Sequence, residues 1–155
     1  MKIRKMTLDD LNEVITLDQI CFLSPWGESQ FLYELNENPF STILVCEHDE
    51  KIVGMIDYWI TFEIGQINQI AVLPEFRKEG IASKMLKEAF KNMAEHEVFN
   101  CTLEVRVHNN PAINFYLKHG FITTCVKKGY YDNGDDAYYM ERRMFDVYNN
   151  FSDWI

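Results

Sequence analysis

The sequence predicts an α+β protein in which helices interrupt a mostly antiparallel sheet. Three successive runs, 41–47, 52–62 and 64–72, are rich in apolar and β-branched residues, which is typical of the strands of a meander. The segment 81–96 follows with helical periodicity. Asn133-Gly134 then lies between two later strand-like runs, which favours a hairpin. Locally paired strands with interrupting helices are the basis of the predicted class.

The first third of the chain predicts one short strand and two helices. Residues 2–5 form the strand, and Thr7 with Asp10 three residues later resembles a capping box for the first helix. The apolar stripe of that helix consists of Leu11, Val14, Ile15, Cys21 and Phe22. The breaker sequence at 24–27 ends it, and a second helix is expected over 28–36, with Phe31, Leu32 and Leu35 directed inward.

The remaining elements follow from turn and capping residues. A polar turn at 48–51 separates the first two strands of the meander, and 100–107 is a strand after the long helix. Pro111 suits the first turn of the last helix and Gly120 its C′ position. The final strands are predicted at 121–130 and 137–144. The order is then β-α-α-β-β-β-α-β-α-β-β.

Length and composition predict one ordinary globular domain. The chain has 155 residues, of which 47% are hydrophobic and 25% charged, and the expected domain spans 1–145 with a C-terminal tail at 146–155. No segment is long and uncharged enough to span a bilayer, and the N-terminus does not have the pattern of a signal peptide. A cytoplasmic protein with no membrane partner is therefore expected.

The charge distribution favours a small anionic ligand over a nucleic acid. A net charge of −9 repels nucleic acid phosphates, whereas Arg77 and Lys78 form a local basic patch. The four cysteines are widely spaced and lie in apolar contexts, so buried free thiols are expected. Neither the cysteines nor the four histidines have metal-ligand spacing, and no metal is predicted.

The loop at 76–83 predicts an anion site. It joins the strand that ends near Val72 to the helix that begins at Ile81. The first amides of a helix have no internal partner, and the helix dipole places partial positive charge there. Gly80 allows the backbone to approach a ligand closely. Phosphate or pyrophosphate is the natural ligand of such a loop, although neither of the common glycine-rich phosphate motifs is present.

The pattern Arg77-x-x-Gly80-x-Ala82 resembles the Q/R-x-x-G-x-G/A signature of the GNAT acetyltransferases. Four further stretches strengthen the resemblance: Leu-Glu-Val-Arg at 103–106, Asn-x-x-Ala-x-x-x-Tyr at 109–116, Gly-Phe at 120–121 and Pro-Trp at 25–26. Together they are similar to the RimI-type family of N-terminal alanine acetyltransferases, over roughly residues 2–144. The predicted order of elements also matches the GNAT fold, a mixed and mostly antiparallel central sheet flanked by helices.

The resemblance implies acetyl-CoA as cosubstrate and a set of residues that bind it. In the family, the strand before the loop holds the pantetheine arm and separates from the next strand. By this resemblance, an amide near Val72 is expected to bind the thioester carbonyl. The implied cofactor-binding residues are Ile70, Ala71 and Val72 on the strand, Arg77, Lys78, Glu79, Gly80, Ile81 and Ala82 on the loop, and Asn109.

The chemistry of acyl transfer to an amine assigns two further roles. An amine must be neutral to attack a thioester, so a general base is useful, and Glu104 is the candidate. Glu104 shares one face of its strand with Arg106, and a surface ion pair between the two is the alternative interpretation. Tyr116 matches the family's catalytic tyrosine, which protonates the CoA thiolate. The alternative for Tyr116 is an aromatic core residue.

The resemblance implies direct acetyl transfer to the N-terminal alanine α-amine of a small-subunit ribosomal protein. Such proteins are basic, which suits an acidic enzyme. Two alternatives are a GNAT enzyme acting on a lysine, a polyamine or another small amine, and a non-catalytic acyl-CoA-binding module. Mere binding would need only the loop and the strand, so the presence of both Glu104 and Tyr116 favours an enzyme.

Overall fold

A computed structural model describes residues 1–144 of the chain. The predicted domain boundary at 145 and the predicted tail at 146–155 lie outside the described residues. The elements follow the predicted order. The strands are β1 Lys2–Lys5, β2 Ser41–His48, β3 Lys51–Thr61, β4 Ile64–Val72, β5 Asn100–Arg106, β6 Ile122–Lys127 and β7 Ala137–Arg143. The helices are α1 Leu11–Cys21, α2 Glu28–Asn36, α3 Ile81–Glu95 and α4 Asn110–Lys118.

The seven strands form one sheet in the order β1-β2-β3-β4-β5-β7-β6. Neighbouring strands are antiparallel except β4 and β5, which are parallel. The parallel pair begins with Ile64 opposite Asn100 and ends with Gln66 opposite Thr102. Both strands continue well beyond that point, so they separate and leave a wedge in the middle of the sheet.

The helices cover both faces of the sheet. On one face, α3 buries an apolar stripe consisting of Ile81, Met85, Leu86, Ala89, Phe90 and Met93, and Asn92 of α3 donates a hydrogen bond to the Tyr58 hydroxyl of β3 at 2.7 Å. On the opposite face, the buried Glu34 of α2 accepts from Trp59 of β3 at 3.1 Å. Strand alternation therefore directs even-numbered residues near Tyr58 to α3 and odd-numbered ones to α1 and α2.

The fold prediction is confirmed, and three local details differ. Residues 128–136 connect β6 and β7, so the predicted turn at Asn133-Gly134 lies inside a longer loop, in which the Gly134 amide donates to the Tyr131 carbonyl at 2.9 Å. A short 3-10 turn, Leu8–Asp10, precedes α1. Cys125 is exposed and Cys21 is partly exposed, which corrects the expectation that all four thiols are buried. Among residues 1–144, no helix is long and apolar enough to span a membrane.

Candidate active site

A cleft of about 630 Å³ lies between the C-terminal end of β4, the N-terminus of α3, α4 and the end of α1. Ten of the twelve predicted site residues line it: Ile70, Ala71, Val72, Arg77, Lys78, Gly80, Ile81, Ala82, Asn109 and Tyr116. Glu79 and Glu104 are not part of this lining. Sequence reasoning missed Cys21 and Phe22 at the end of α1, and Pro111, Ala112 and Phe115 on α4, which also line the cleft.

The wall formed by β4 has one edge available to a ligand. β4 pairs with β3 as far as Val72, opposite Gly54, but its described pairing with β5 ends at Gln66. The amide and carbonyl groups of 68–72 that point toward β5 therefore have no strand partner there. A pantetheine arm, which carries amide groups, can complete this edge in the way an added strand does. The residues present thus fit the acyl donor predicted from the sequence.

The loop before α3 has the geometry of an anion site. Lys78 and Gly80 both have left-handed backbones, with φ of 66° and 81°. Left-handed residues in a turn are typical of the concavities in which backbone amides bind anions. A Cβ atom built on Gly80 would have no atom within 4 Å, so the space beside this residue is open. The first turn of α3 contains no acidic residue that would repel an anion.

Arg77 has a more specific role than the positive charge predicted for it. Its Nε atom donates to the Val72 carbonyl at 2.9 Å, and its Nη2 atom lies 3.6 Å from Cys21 Sγ. Arg77 thus ties the loop to the end of β4 and to the end of α1. Burial raises the pKa of the Cys21 thiol, so this cysteine stays protonated and is a poor nucleophile.

Tyr116 is held in the cleft wall by the way α4 ends. Gly120 has a φ of 90°, and its amide donates to Leu117 while the Phe121 amide donates to the Tyr116 carbonyl. These two bonds form a Schellman motif, and the hydrophobic contact typical of it is the packing of the Phe121 and Tyr116 rings at 5.6 Å. The Gly-Phe pair identified in the sequence therefore positions this tyrosine.

The environment of Tyr116 keeps its hydroxyl protonated. The residue is 7% exposed, and burial raises the pKa of the phenol well above its usual value. Tyr116 lines the cleft, so a ligand bound there can reach this residue. Asn109, at the other end of α4, accepts from the Ala112 amide at 3.3 Å and thereby caps the helix while lining the cleft.

The Glu104 side chain lies on the face of β5 opposite to the side chains of Leu103 and Val105. Its neighbours Leu103 and Val105 are buried, whereas the Glu104 side chain is 14% exposed and forms an ion pair with Lys127 at 2.7 Å. Arg106 pairs instead with Asp135 at 2.8 Å. The structure thus excludes the alternative in which Glu104 pairs with Arg106.

An aromatic group around Glu104 was missed by sequence reasoning. Tyr139 lies directly opposite Glu104 in the sheet, and the Lys127 ammonium sits 4.6 Å from the centre of its ring and 5.4 Å from that of Tyr130. Arg106 stacks on Tyr131 at 3.9 Å. The available signal was the sequence Lys127-x-x-Tyr130-Tyr131 near the end of the chain, because a cation with paired aromatics is typical of a binding surface.

Comparison with known proteins identifies the class. Residues 11–121 match the acetyltransferase (GNAT) family, and the chain belongs to this family. It is an acetyl-CoA-dependent N-acetyltransferase. The cleft beside the end of β4 and the loop before α3 fit the acyl donor that enzymes of this class use.

Two relatives and one solved structure place the chain within the family. A Bacillus subtilis protein provisionally named as a ribosomal protein bS18-alanine N-acetyltransferase is 37% identical over 89% of this chain and 92% of its own length. An N-alpha-acetyltransferase of Saccharolobus solfataricus is 33% identical over 92% of each chain. The ribosomal-protein-S18-alanine N-acetyltransferase of Escherichia coli has the same fold, with a TM-score of 0.83 at 22% identity, over 92% of this chain and 93% of that one.

Proposed function

We propose that the enzyme acetylates the α-amino group of a protein N-terminus, and that its substrate is a small-subunit ribosomal protein beginning with alanine. The observation that carries the proposal is the 37% identity, over most of both chains, to a relative provisionally named for this reaction. The acidic character of the chain, with a net charge of −9, supports a basic protein as partner rather than a nucleic acid or a membrane. A cytoplasmic location is part of the proposal, because ribosomal proteins are made there.

Glu104 is proposed as the general base. An α-ammonium group that approaches along the α1–α2 side of the sheet meets the Glu104 carboxylate, which Lys127 already holds at 2.7 Å. The incoming ammonium replaces Lys127 as the cationic partner and then gives its proton to Glu104, directly or through one water. The resulting neutral amine attacks the thioester from that side.

Tyr116 is proposed as the proton donor to the departing sulfur. Burial holds the phenol in its neutral form, and a CoA thiolate formed in the same buried cleft has its own proton affinity raised by the same effect. Tyr116 therefore stabilises the thiolate by a hydrogen bond and by proton transfer. A backbone amide near Val72 is proposed to stabilise the oxyanion, which is supported by the lack of a strand partner at this edge of β4. The loop residues Arg77, Lys78, Glu79, Gly80, Ile81 and Ala82 are proposed to hold the pyrophosphate.

The alternative acceptors are a lysine, a polyamine or another small amine. An α-amine loses its proton at a pH roughly two units lower than a lysine side chain does, which makes it the easier substrate for a carboxylate base. A non-catalytic acyl-CoA-binding module is less well supported, because the chain keeps a carboxylate and a phenol on the two sides of β5.

We expect the natural substrate to be found by comparing protein N-termini from cells with and without this chain. Mass spectrometry of N-terminal peptides should show one ribosomal protein whose α-amine is acetylated only when the enzyme is present. Cells that carry the Glu104→Gln variant at equal abundance should resemble those without the enzyme. Unchanged ribosomal N-termini together with changed lysine or polyamine acetylation would contradict the proposal.

A further inference from the structure

A row of buried polar side chains lies on the α1–α2 face of the sheet, separate from the residues that line the cleft. Asp57 of β3 lies directly opposite Gln69 of β4, beside a β-bulge at which Asn68 is the extra residue. Asp18 of α1 faces Gln69 from above. Asp18 and Asp57 have no solvent exposure, and Gln69 is 7% exposed. None of these residues was identified from the sequence.

The hydrogen bonds of this row leave two oxygen atoms without partners. Gln69 Nε2 donates to Asp18 Oδ1 at 3.0 Å, and Asn68 Nδ2 donates to Asp57 Oδ1 at 3.0 Å. Asp57 Oδ2 and Gln69 Oε1 are fully buried and have no hydrogen-bond partner among residues 1–144. They belong to residues that are directly opposite each other on one face of the sheet.

Counting donors shows that one proton is missing from this row. A carboxamide has a donor end and an acceptor end, whereas an ionised carboxylate only accepts. Gln69 directs its amide nitrogen to Asp18, so its remaining oxygen can only accept. A proton on Asp57 Oδ2 would supply a donor for that oxygen, whereas an ionised Asp57 leaves both buried atoms without a partner.

Asp57 is the acid that is better suited to carry it. Burial raises the pKa of the Asp18 carboxyl group, but Asp18 accepts from three donors that oppose this effect: the Trp26 amide at 2.6 Å, the Gly27 amide and Gln69. Asp57 has a single donor, Asn68. Burial raises the pKa of Asp57 to about 8, and the nearby charge of Glu34 on α2 acts in the same direction.

We propose that Asp57 is a neutral carboxylic acid at physiological pH, whose Oδ2–H donates to Gln69 Oε1 and makes Asp57 a positioning residue for the segment that joins α1 to α2. Gln69 is then fixed with its Nε2 toward Asp18, and Asp18 in turn holds the amide of Trp26. The segment begins at Phe22, which lines the cleft. One buried proton therefore links the β4 bulge to a segment that borders the active site.

Infrared spectroscopy of the whole protein tests the proton directly. The spectrum at pH 6.5 should contain the carbonyl stretch of a protonated carboxylic acid, sensitive to deuterium, which is absent from the Asp57→Asn variant. The band should disappear as the pH rises through about 8. Absence of the band from the wild-type protein at pH 6.5, or its persistence in Asp57→Asn, would overturn the proposal.

Amide exchange at Trp26 tests the positioning role. The side-chain amide of Asp57→Asn can donate to Gln69 at every pH. At pH 6.5 the Trp26 amide should therefore exchange as slowly in this variant as in the wild type. At pH 9 it should exchange more slowly in the variant than in the wild type. Asp57→Leu removes the donor and should exchange faster at both values. Equal acceleration in Asp57→Asn and Asp57→Leu would overturn the role, and the infrared comparison decides the proton even where Asp57→Leu does not fold.

Discussion

Replacing Glu104 with glutamine is expected to lower turnover roughly 10²-fold or more at pH 7, the usual contribution of a general base. The glutamine keeps the shape of the side chain but cannot accept the proton of the attacking ammonium. The loss should shrink as the pH rises past roughly 8, where an α-amine is already neutral without help. Initial rates with a peptide acceptor, measured from pH 6 to pH 10, provide the test.

Two comparison variants separate this effect from general damage to the sheet. Glu47→Gln also removes the negative charge from an ion pair, which Glu47 forms with Arg4 at 3.0 Å. Glu47 lies on β2, away from the cleft, so the turnover of this variant should stay near that of the wild type. Tyr116→Phe keeps the ring packed on Phe121 and should lower turnover while acetyl-CoA binding stays largely intact. If Glu104→Gln and Tyr116→Phe both kept nearly full activity across this pH range, the assigned roles would be wrong.

Gly80→Val is expected to weaken acetyl-CoA binding at least tenfold. The φ of 81° at this position costs an L-residue roughly 1–2 kcal/mol, and a β-branched side chain tolerates it least. A valine that relaxes to a negative φ turns the loop amides away from the pyrophosphate, and one that stays in place fills the open space beside the loop. Calorimetric titration with acetyl-CoA measures the loss.

Gly134→Val is the matched control for the loop. Gly134 has a φ of 88°, and a Cβ atom there would also have no atom within 4 Å, but the residue lies between β6 and β7 and does not line the cleft. Its substitution introduces the same backbone strain without touching the anion site. If the two variants lost acetyl-CoA affinity to the same extent, backbone strain alone would explain the Gly80→Val result, and no contact with the pyrophosphate would be needed.

The parts of the fold that the sequence predicted are those fixed by local patterns. The stripe of α3 repeats at helical spacing, and Gly80 and Gly120 occupy left-handed positions that glycine adopts most readily, so the helices next to the cleft begin or end where expected. Glu79 illustrates the limit of a motif, because its position in the signature did not reveal that its side chain lies outside the cleft lining.

The parts that the sequence did not predict depend on contacts between distant segments. Glu104 and Lys127 meet only because β7 lies between β5 and β6 in the sheet and places Tyr139 under the lysine. The loop at 128–136 is longer than an Asn-Gly turn requires, and Asp135 within it pairs with Arg106 of β5. The sequence shows Asp57 only as a single polar residue in a strand. Its role depends on its burial and on the residue opposite it in the sheet, which the sequence does not reveal.

The most direct test of the proposed reaction is the position of the acetyl group on a peptide product. A peptide with the N-terminal sequence of the small-subunit ribosomal protein, alanine first and lysines free, is incubated with the enzyme and acetyl-CoA, and fragment masses locate the modification. We predict one acetyl group on the α-amine and no reaction when that amine is blocked beforehand. Acetylation of lysines in the blocked peptide, or faster acetylation of spermidine, would contradict an α-amine acceptor.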